Sequence, residues 1–277
     1  STVLTSELLE TERCLSIYLV VGAVAFGASL LTLFSGFGLG SLLVATLVVF
    51  FPVEVAISAT AVVHLFSNLL KVGLFYRKAV LRVIVRFGIP AVIAAFIGAL
   101  ALTRLSEGAP LLTWNAGRRV AEITPLKLIM GVLIAGFAVL DLARRPGAGR
   151  MDERWLPIGG ALSGFFGGLS GHQGAFRAAF LSRLDFEPEA YVGTQAILAT
   201  MVDVARLLVY GAALYAGHMA MVSGRHQWTV VGVAILSATA GILFGRRYLR
   251  KTTFSSLRTL IGALLLVVGA GLISGIL

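Results

Sequence analysis

The sequence predicts an all-α integral membrane protein built from two related halves. Three observations carry that prediction: 58% of its 277 residues are hydrophobic and 13% charged, apolar runs recur from end to end, and the chain repeats itself at an offset of 135 residues. An ordinary soluble domain carries about 25% charged residues, and the mean hydropathy here is +0.93.

The apolar runs fall at 15–34, 39–50, 53–75, 84–104, 124–144, 155–169, 174–183, 189–213, 227–246 and 256–276. A helix needs about 20 apolar residues to cross the hydrocarbon core, and most of these runs are long enough. Those at 39–50, 155–169 and 174–183 are not. They flank "FSGFGLGS" and "LSGHQGAF", where glycines let the backbone leave helical geometry. Broken helices or helical hairpins are therefore expected at 35–41 and 170–174. The expected domains are an N-terminal tail at 1–14, a first membrane repeat at 15–144, a linker at 145–154 and a second repeat at 155–277. The tail lacks the basic region of a secretory signal, and the lone Cys14 excludes an internal disulfide.

At the 135-residue offset, Ser35-Gly36 falls on Ser170-Gly171, Glu54 on Glu189, Asn68 on Asp203 and Lys71 on Arg206. Each half reads as a Ser-Gly break, a short apolar segment, a turn with Pro52 or Pro188, and a long helix carrying an amide or carboxylate three residues before a base. If each break is one crossing there are eight spans, and Lys plus Arg divide about evenly between the two sides. If each is a hairpin there are ten segments, and the halves are inverted because five is odd. One side then receives fourteen basic residues, from Lys71 to Lys251, against six on the other. That asymmetry obeys the positive-inside rule and favours inverted halves with both termini outside. The net charge of +10 lies in connections between spans, so it reads as topology and headgroup contact, with no nucleic acid partner.

Ser170, Gly171, His172, Gln173 and Gly174 precede a short helix that holds Arg177. A helix start presents unpaired N–H groups and partial positive charge, which favours an anion. In one reading these residues bind an anion, with Gly36, Gly38, Gly171 and Gly174 shaping the breaks, Ser35, Ser41, Ser170, His172 and Gln173 donating, and Arg177 supplying charge. In the other, the glycines serve helix packing and Arg177 reaches a headgroup. In oil an unanswered arginine costs roughly 2.5–3.5 kcal/mol on insertion scales. Thr194, Gln195, Asp203 and Arg206 interrupt the apolar run after the second break, and Gln195 is counted with the expected anion-binding residues. Asp203 and Arg206, three apart, share a helix face and read as a neutralising pair, or Asp203 as a coupling carboxylate. His64 and Asn68, four apart, share a face of the matching helix, as a packing pair or a proton relay. No metal-ligand spacing, nucleophile elbow or cofactor motif appears.

The repeated break, short apolar segment and long helix, read as "FSGFGLGSLLVATLVVFFPVEVAISAT" and "FFGGLSGHQGAFRAAFLSRLDFEPEAYVGTQ", resemble the sulfite exporter TauE/SafE family, also called toluene sulfonate uptake permeases. The resemblance implies a multi-pass transporter of the prokaryotic cytoplasmic membrane. It implies a small sulfur-containing anion as substrate, such as sulfite, sulfoacetate or another organosulfonate, with no cofactor and no ATPase partner. A proton or sodium ion is the expected coupling partner. This sequence lacks the proline common after the family's break and places His172, Gln173 and Arg177 in the second one. An anion channel, or an intramembrane enzyme using His172 and Asp203, is the alternative. The small-residue spacing in "GALLLVVGAGLISG" points to a homodimer or to internal packing.

Overall fold

The computed structural model describes residues 2–36, 38–116, 119–143, 152–222, 224–247 and 255–277. They form ten α-helices: α1 (Thr2–Ser35), α2 (Leu39–Leu47), α3 (Val53–Phe75), α4 (Leu81–Ser106), α5 (Pro125–Ala143), α6 (Leu156–Ser170), α7 (Gln173–Leu181), α8 (Pro188–Tyr215), α9 (Arg225–Arg246) and α10 (Ser255–Ile273). Five of these contain stretches long and apolar enough to span a bilayer, at Cys14–Leu33, Val53–Lys78, Leu81–Ser106, Pro188–Tyr215 and Arg225–Arg246. The protein is an all-α, multi-pass membrane protein. Helix α1 runs unbroken from Thr2 through the segment expected to be a tail. Most of the expected linker lies outside the described residues.

Local chemistry sets the ends that matter. Proline precedes or opens α3 and α8, where its fixed φ suits a helix start and its missing N–H is not needed, and Glu54 or Glu189 follows in the first turn. Gly36 and Gly171, equivalent in the repeat, both take a left-handed backbone, with φ of 76° and 79°. That conformation stops α1 and α6 at matching points.

Both breaks are hairpins. In the second, Gly159 lies against Phe180, Phe166 stacks on Phe176 at 5.0 Å, and Gly167 lies against Gln173, so α7 doubles back along α6. In the first, the Leu39 N–H donates to Thr32 Oγ1 at 3.0 Å, and Leu39 and Leu42 return to a cluster with Val24, Ala28 and Leu31.

The register of the other contacts fixes helix direction. Phe87, Ala91 and Ala95 meet Gly160, Gly164 and Gly168 in that order, so α4 and α6 are parallel. Gly22 meets Val233 and Ser237, while Leu30 and Leu33 meet Gly245, so α1 and α9 are parallel too. Asn68 meets Asp203 and Phe75 meets Gly193, which makes α3 and α8 antiparallel. Gly131 meets Ile273 and Leu142 meets Gly262, so α5 opposes α10. Short turns reverse the chain from α2 to α3, α3 to α4, α6 to α7 and α7 to α8. Once α3 is given a direction, every helix of the second half runs opposite to its counterpart in the first. The halves are inverted repeats of five segments, as expected.

The contacts that hold the halves together use small residues. A Cβ on Gly160, Gly164 or Gly168 would overlap the carbonyls of Phe87, Ala91 or Ala95, so the glycines allow the backbones of α4 and α6 to touch. Within lipid, where apolar burial gives little driving force, this close packing is what joins helices. The glycines of α10 are spent in the same way: Gly262 packs on Leu142, and Gly269 on Gly131 and Ala135. The spacing that pointed to a homodimer or to internal packing is thus filled inside the chain.

Two further findings depart from the sequence reading. A β-hairpin, β1 (Leu112–Ala116) with β2 (Arg119–Ile123), joins α4 to α5, and the Trp114 indole N–H donates to the Ser274 carbonyl at 2.9 Å. Lys71, counted among the fourteen basic residues of one side, is buried inside the helix bundle at 3% exposure. The side still carries thirteen against six.

Candidate functional site

Three helices meet where the halves cross: α3 and α8 lie side by side, and α7 begins against both. Asp203 of α8 is fully buried, and its donors come from α8 itself, α3 and α7. Its Oδ1 accepts from Arg206 Nη2 at 2.7 Å, Arg206 Nε at 3.1 Å and Gln173 Nε2 at 2.8 Å. Its Oδ2 lies 2.7 Å from His64 Nδ1 and accepts from Asn68 Nδ2 at 3.0 Å. With the His64 ring N–H directed at the carboxylate, the Asn68 amide, 2.9 Å from the same nitrogen, has only the carboxylate to donate to. The Asp203–Arg206 pair expected within one helix is present. His64 and Asn68 join that same network, across the junction of the halves.

Gln173 carries the network onward. Its Nε2 donates to Asp203, and its Oε1 accepts from Arg177 Nη1 at 2.9 Å. Arg177 Nε in turn donates to Gln195 Oε1. At 2% exposure Arg177 does not reach a headgroup; the guanidinium faces inward. The chain of bonds also orients Gln195. Its oxygen must face the guanidinium, so its Nε2 is left pointing away, buried and without a hydrogen-bond partner among the described residues.

That free donor opens onto a small cavity lined by Thr32, Gly36, Asn68, Lys71, Arg177, Tyr191, Val192, Gln195 and Ala196. The space is about 10 Å³, room for one water-sized group. Two cations line it, and no carboxylate among the described residues does. No hydrogen bond to the Lys71 ammonium is found among the described residues. At Gly36 a Cβ would lie 2.7 Å from Gln195 Nε2, so the first break brings bare backbone against the second half's polar wall.

The expected site residues separate into two groups. Gly36, Arg177 and Gln195 line the cavity, and Gln173 and Asp203 hold Arg177 in place. The second break itself lies elsewhere. The Ser170 hydroxyl donates to the Phe166 carbonyl, as a helical serine does when no better acceptor is near. His172 Nδ1 sits 3.1 Å from the Ser170 carbonyl, and its ring stacks on Phe137 at 5.0 Å, within a cluster of phenylalanines. Gly171 packs against Arg206 Nη1, and its carbonyl meets Gly40 of α2. The two breaks therefore touch backbone to backbone at Gly40 and Gly171. Gly38 shapes the start of α2 with φ of 125°. Neither Ser41, half-buried on α2, nor Gly174, half-buried on α7, is on the cavity wall. The Ser35 side chain lies outside the described residues.

Sequence reasoning passed over Lys71 and Tyr191 as site residues. A lysine near the end of an apolar run reads as an interfacial charge; its alignment with Arg206 was the available signal. Above the cavity, Leu33, Phe75, Val192 and Ile242 form an apolar cluster with Leu70 and Leu74. Beyond it opens a vestibule of 1210 Å³ whose walls include Arg77, Lys78, Glu187, Glu189, Arg246 and Arg247.

A buried site with two cations, an amide donor and no acid suits an anion in a membrane, and comparison with known families agrees. The family model described as sulfite exporter TauE/SafE matches residues 21–272. The chain belongs to the TauE/SafE family. Neither the curated proteins nor the solved structures gave a match. Membership in TauE/SafE makes the chain a membrane transporter of a sulfur-anion exporter family and not an enzyme. Its small anionic substrate and its bilayer setting follow from the same match.

Proposed function

We propose that this TauE/SafE chain moves a small sulfur oxyanion across the cytoplasmic membrane, and that the anion binds in the cavity between Gly36, Lys71, Arg177 and Gln195. One observation carries the reading: two buried cations and an unpartnered amide N–H face one small space with no carboxylate on its wall among the described residues. Buried charge in a low-dielectric surround must be answered; a water-sized space suffices for one water in the state described, and an oxyanion admitted when the halves part answers all three groups at once. Its several oxygens accept from diverging donors, which a halide cannot do as well.

The surroundings support transport by alternating exposure. The basic vestibule is separated from the cavity by the apolar cluster of Leu33, Phe75, Val192 and Ile242, so the anion site is shut off from a wide mouth by a thin hydrophobic layer. Inverted halves of this kind exchange access by rocking one half against the other about a fixed site. The mouth lies on the side richer in Lys and Arg, which the positive-inside rule places in the cytoplasm.

The test is flux of radiolabelled sulfite into proteoliposomes holding the purified protein. Wild type should accumulate label as unchanged sulfite, and Arg177→Gln should abolish flux while the protein stays folded. Full flux in Arg177→Gln would place the anion elsewhere.

A further inference from the structure

The two halves place a cation at equivalent positions, and only one of those cations is answered. In the second half Arg206 stands three residues after Asp203, which accepts from its guanidinium at 2.7 and 3.1 Å. The equivalent residues of the first half are Lys71 and Asn68, a cation three residues after a neutral amide. Asp203 is moreover fully occupied, since its two oxygens already meet donors from Gln173, Asn68, His64 and Arg206. Lys71 therefore has no acid on its own helix face and none across the cavity.

Arg177 repeats the deficit. Its hydrogen-bond acceptors among the described residues are the amide oxygens of Gln173 and Gln195, which orient a guanidinium without neutralising it. Of the three buried cations at the junction, one is balanced within the chain and two face the same cavity. The geometry points to a site whose ligand is a small divalent oxyanion, with Lys71 setting the valence: the anion supplies the charge that Asp203 supplies to Arg206 in the other half. This inference rests on the cavity being the anion site. It narrows the substrate class to doubly charged oxyanions and counts singly charged sulfonates as poor ligands. The space as described holds one water-sized group, so the anion is admitted as the halves part, with Lys71, Arg177 and Gln195 Nε2, held by the bond between its own Oε1 and Arg177, as the donors it meets.

The test uses the purified full chain in detergent at constant ionic strength, with ligand-dependent melting curves. Sulfate and thiosulfate serve as divalent probes and methanesulfonate as the monovalent one. Wild type should bind a divalent probe at least about tenfold more tightly than methanesulfonate, as one more unit charge in a poorly screened site requires. Lys71→Gln should erase that preference while still binding methanesulfonate, and Lys71→Arg should keep it. A wild type that favours methanesulfonate overturns the inference whether or not Lys71→Gln folds. So does a Lys71→Gln protein that weakens both valences equally. Failure of the underlying reading looks different: no probe of either valence would stabilise wild type, or Arg177→Gln would bind every probe as wild type does.

Discussion

Asn68 donates a hydrogen bond to Asp203 at 3.0 Å, and the two residues occupy equivalent positions of the inverted halves, 135 residues apart. The contact lies where the halves cross, so an amide and a carboxylate that differ by one substitution face each other at the symmetry point. One side carries an acid and is balanced; the other carries an amide and has charge to spare.

The first prediction concerns that balance. Asp203→Leu alone strands Arg206 in the core and should cost about 3–5 kcal/mol, whereas Asp203→Leu with Arg206→Met removes the stranded charge and should cost less, the remaining loss coming from the donors of Gln173, Asn68 and His64. Melting temperatures of the two variants decide it. Equal losses would mean that the pair is not what holds this junction together.

A second prediction uses Gln195. Replacing it by the near-isosteric glutamate puts a carboxylate on Arg177 and neutralises one of the two free cations from within the chain. Gln195→Glu should melt no lower than wild type in the absence of anion and should bind divalent oxyanions at least about tenfold more weakly. Unaltered affinity, measured by calorimetry, would remove Gln195 and Arg177 from the site.

Membrane orientation provides a third. The contact of His218 with Glu107 at 2.5 Å and those of Arg82 and Arg86 with Glu153 at 3.1 and 3.4 Å mark opposite ends of the bundle. In a Cys14→Ser background, Lys78→Cys and Arg247→Cys should resist an impermeant thiol reagent applied to intact cells, while Leu111→Cys and Tyr215→Cys should react. Labelling of one residue from each pair would contradict the inverted arrangement.

Helix packing yields a fourth. Gly164 sits against the backbone of Ala91, whereas Gly136 has nothing within 4 Å of where a Cβ would be. Gly164→Val should overpack the α4–α6 contact and lose about 1–3 kcal/mol. Gly136→Ala, on an open helix face, should be neutral or gain up to about 1 kcal/mol from helix propensity. Comparison of the two unfolding curves checks whether backbone contact, and not glycine content, joins the halves.

By itself the sequence determined the class of the protein, its ten-segment inverted plan and the residues that break its helices. These are local or additive properties: apolar length sets spanning, glycine sets where a helix stops, and the sum of Lys and Arg sets orientation. It also marked Arg177, Gln195, Asp203 and Arg206, because each is a polar group in an apolar run. Only the tertiary structure decided what those groups face. The second break looked like the site because Ser170, His172 and Gln173 are adjacent in sequence, yet Ser170 bonds its own helix and His172 stacks on Phe137. Lys71 looked like a surface charge because it ends an apolar run, yet the crossing of α3 with α8 buries it beside Arg177. The cavity draws Gly36, Lys71, Arg177 and Gln195 from four helices or their breaks. Whether a cation meets an acid or an amide there depends on the packing of segments far apart in sequence, which no spacing along the chain encodes.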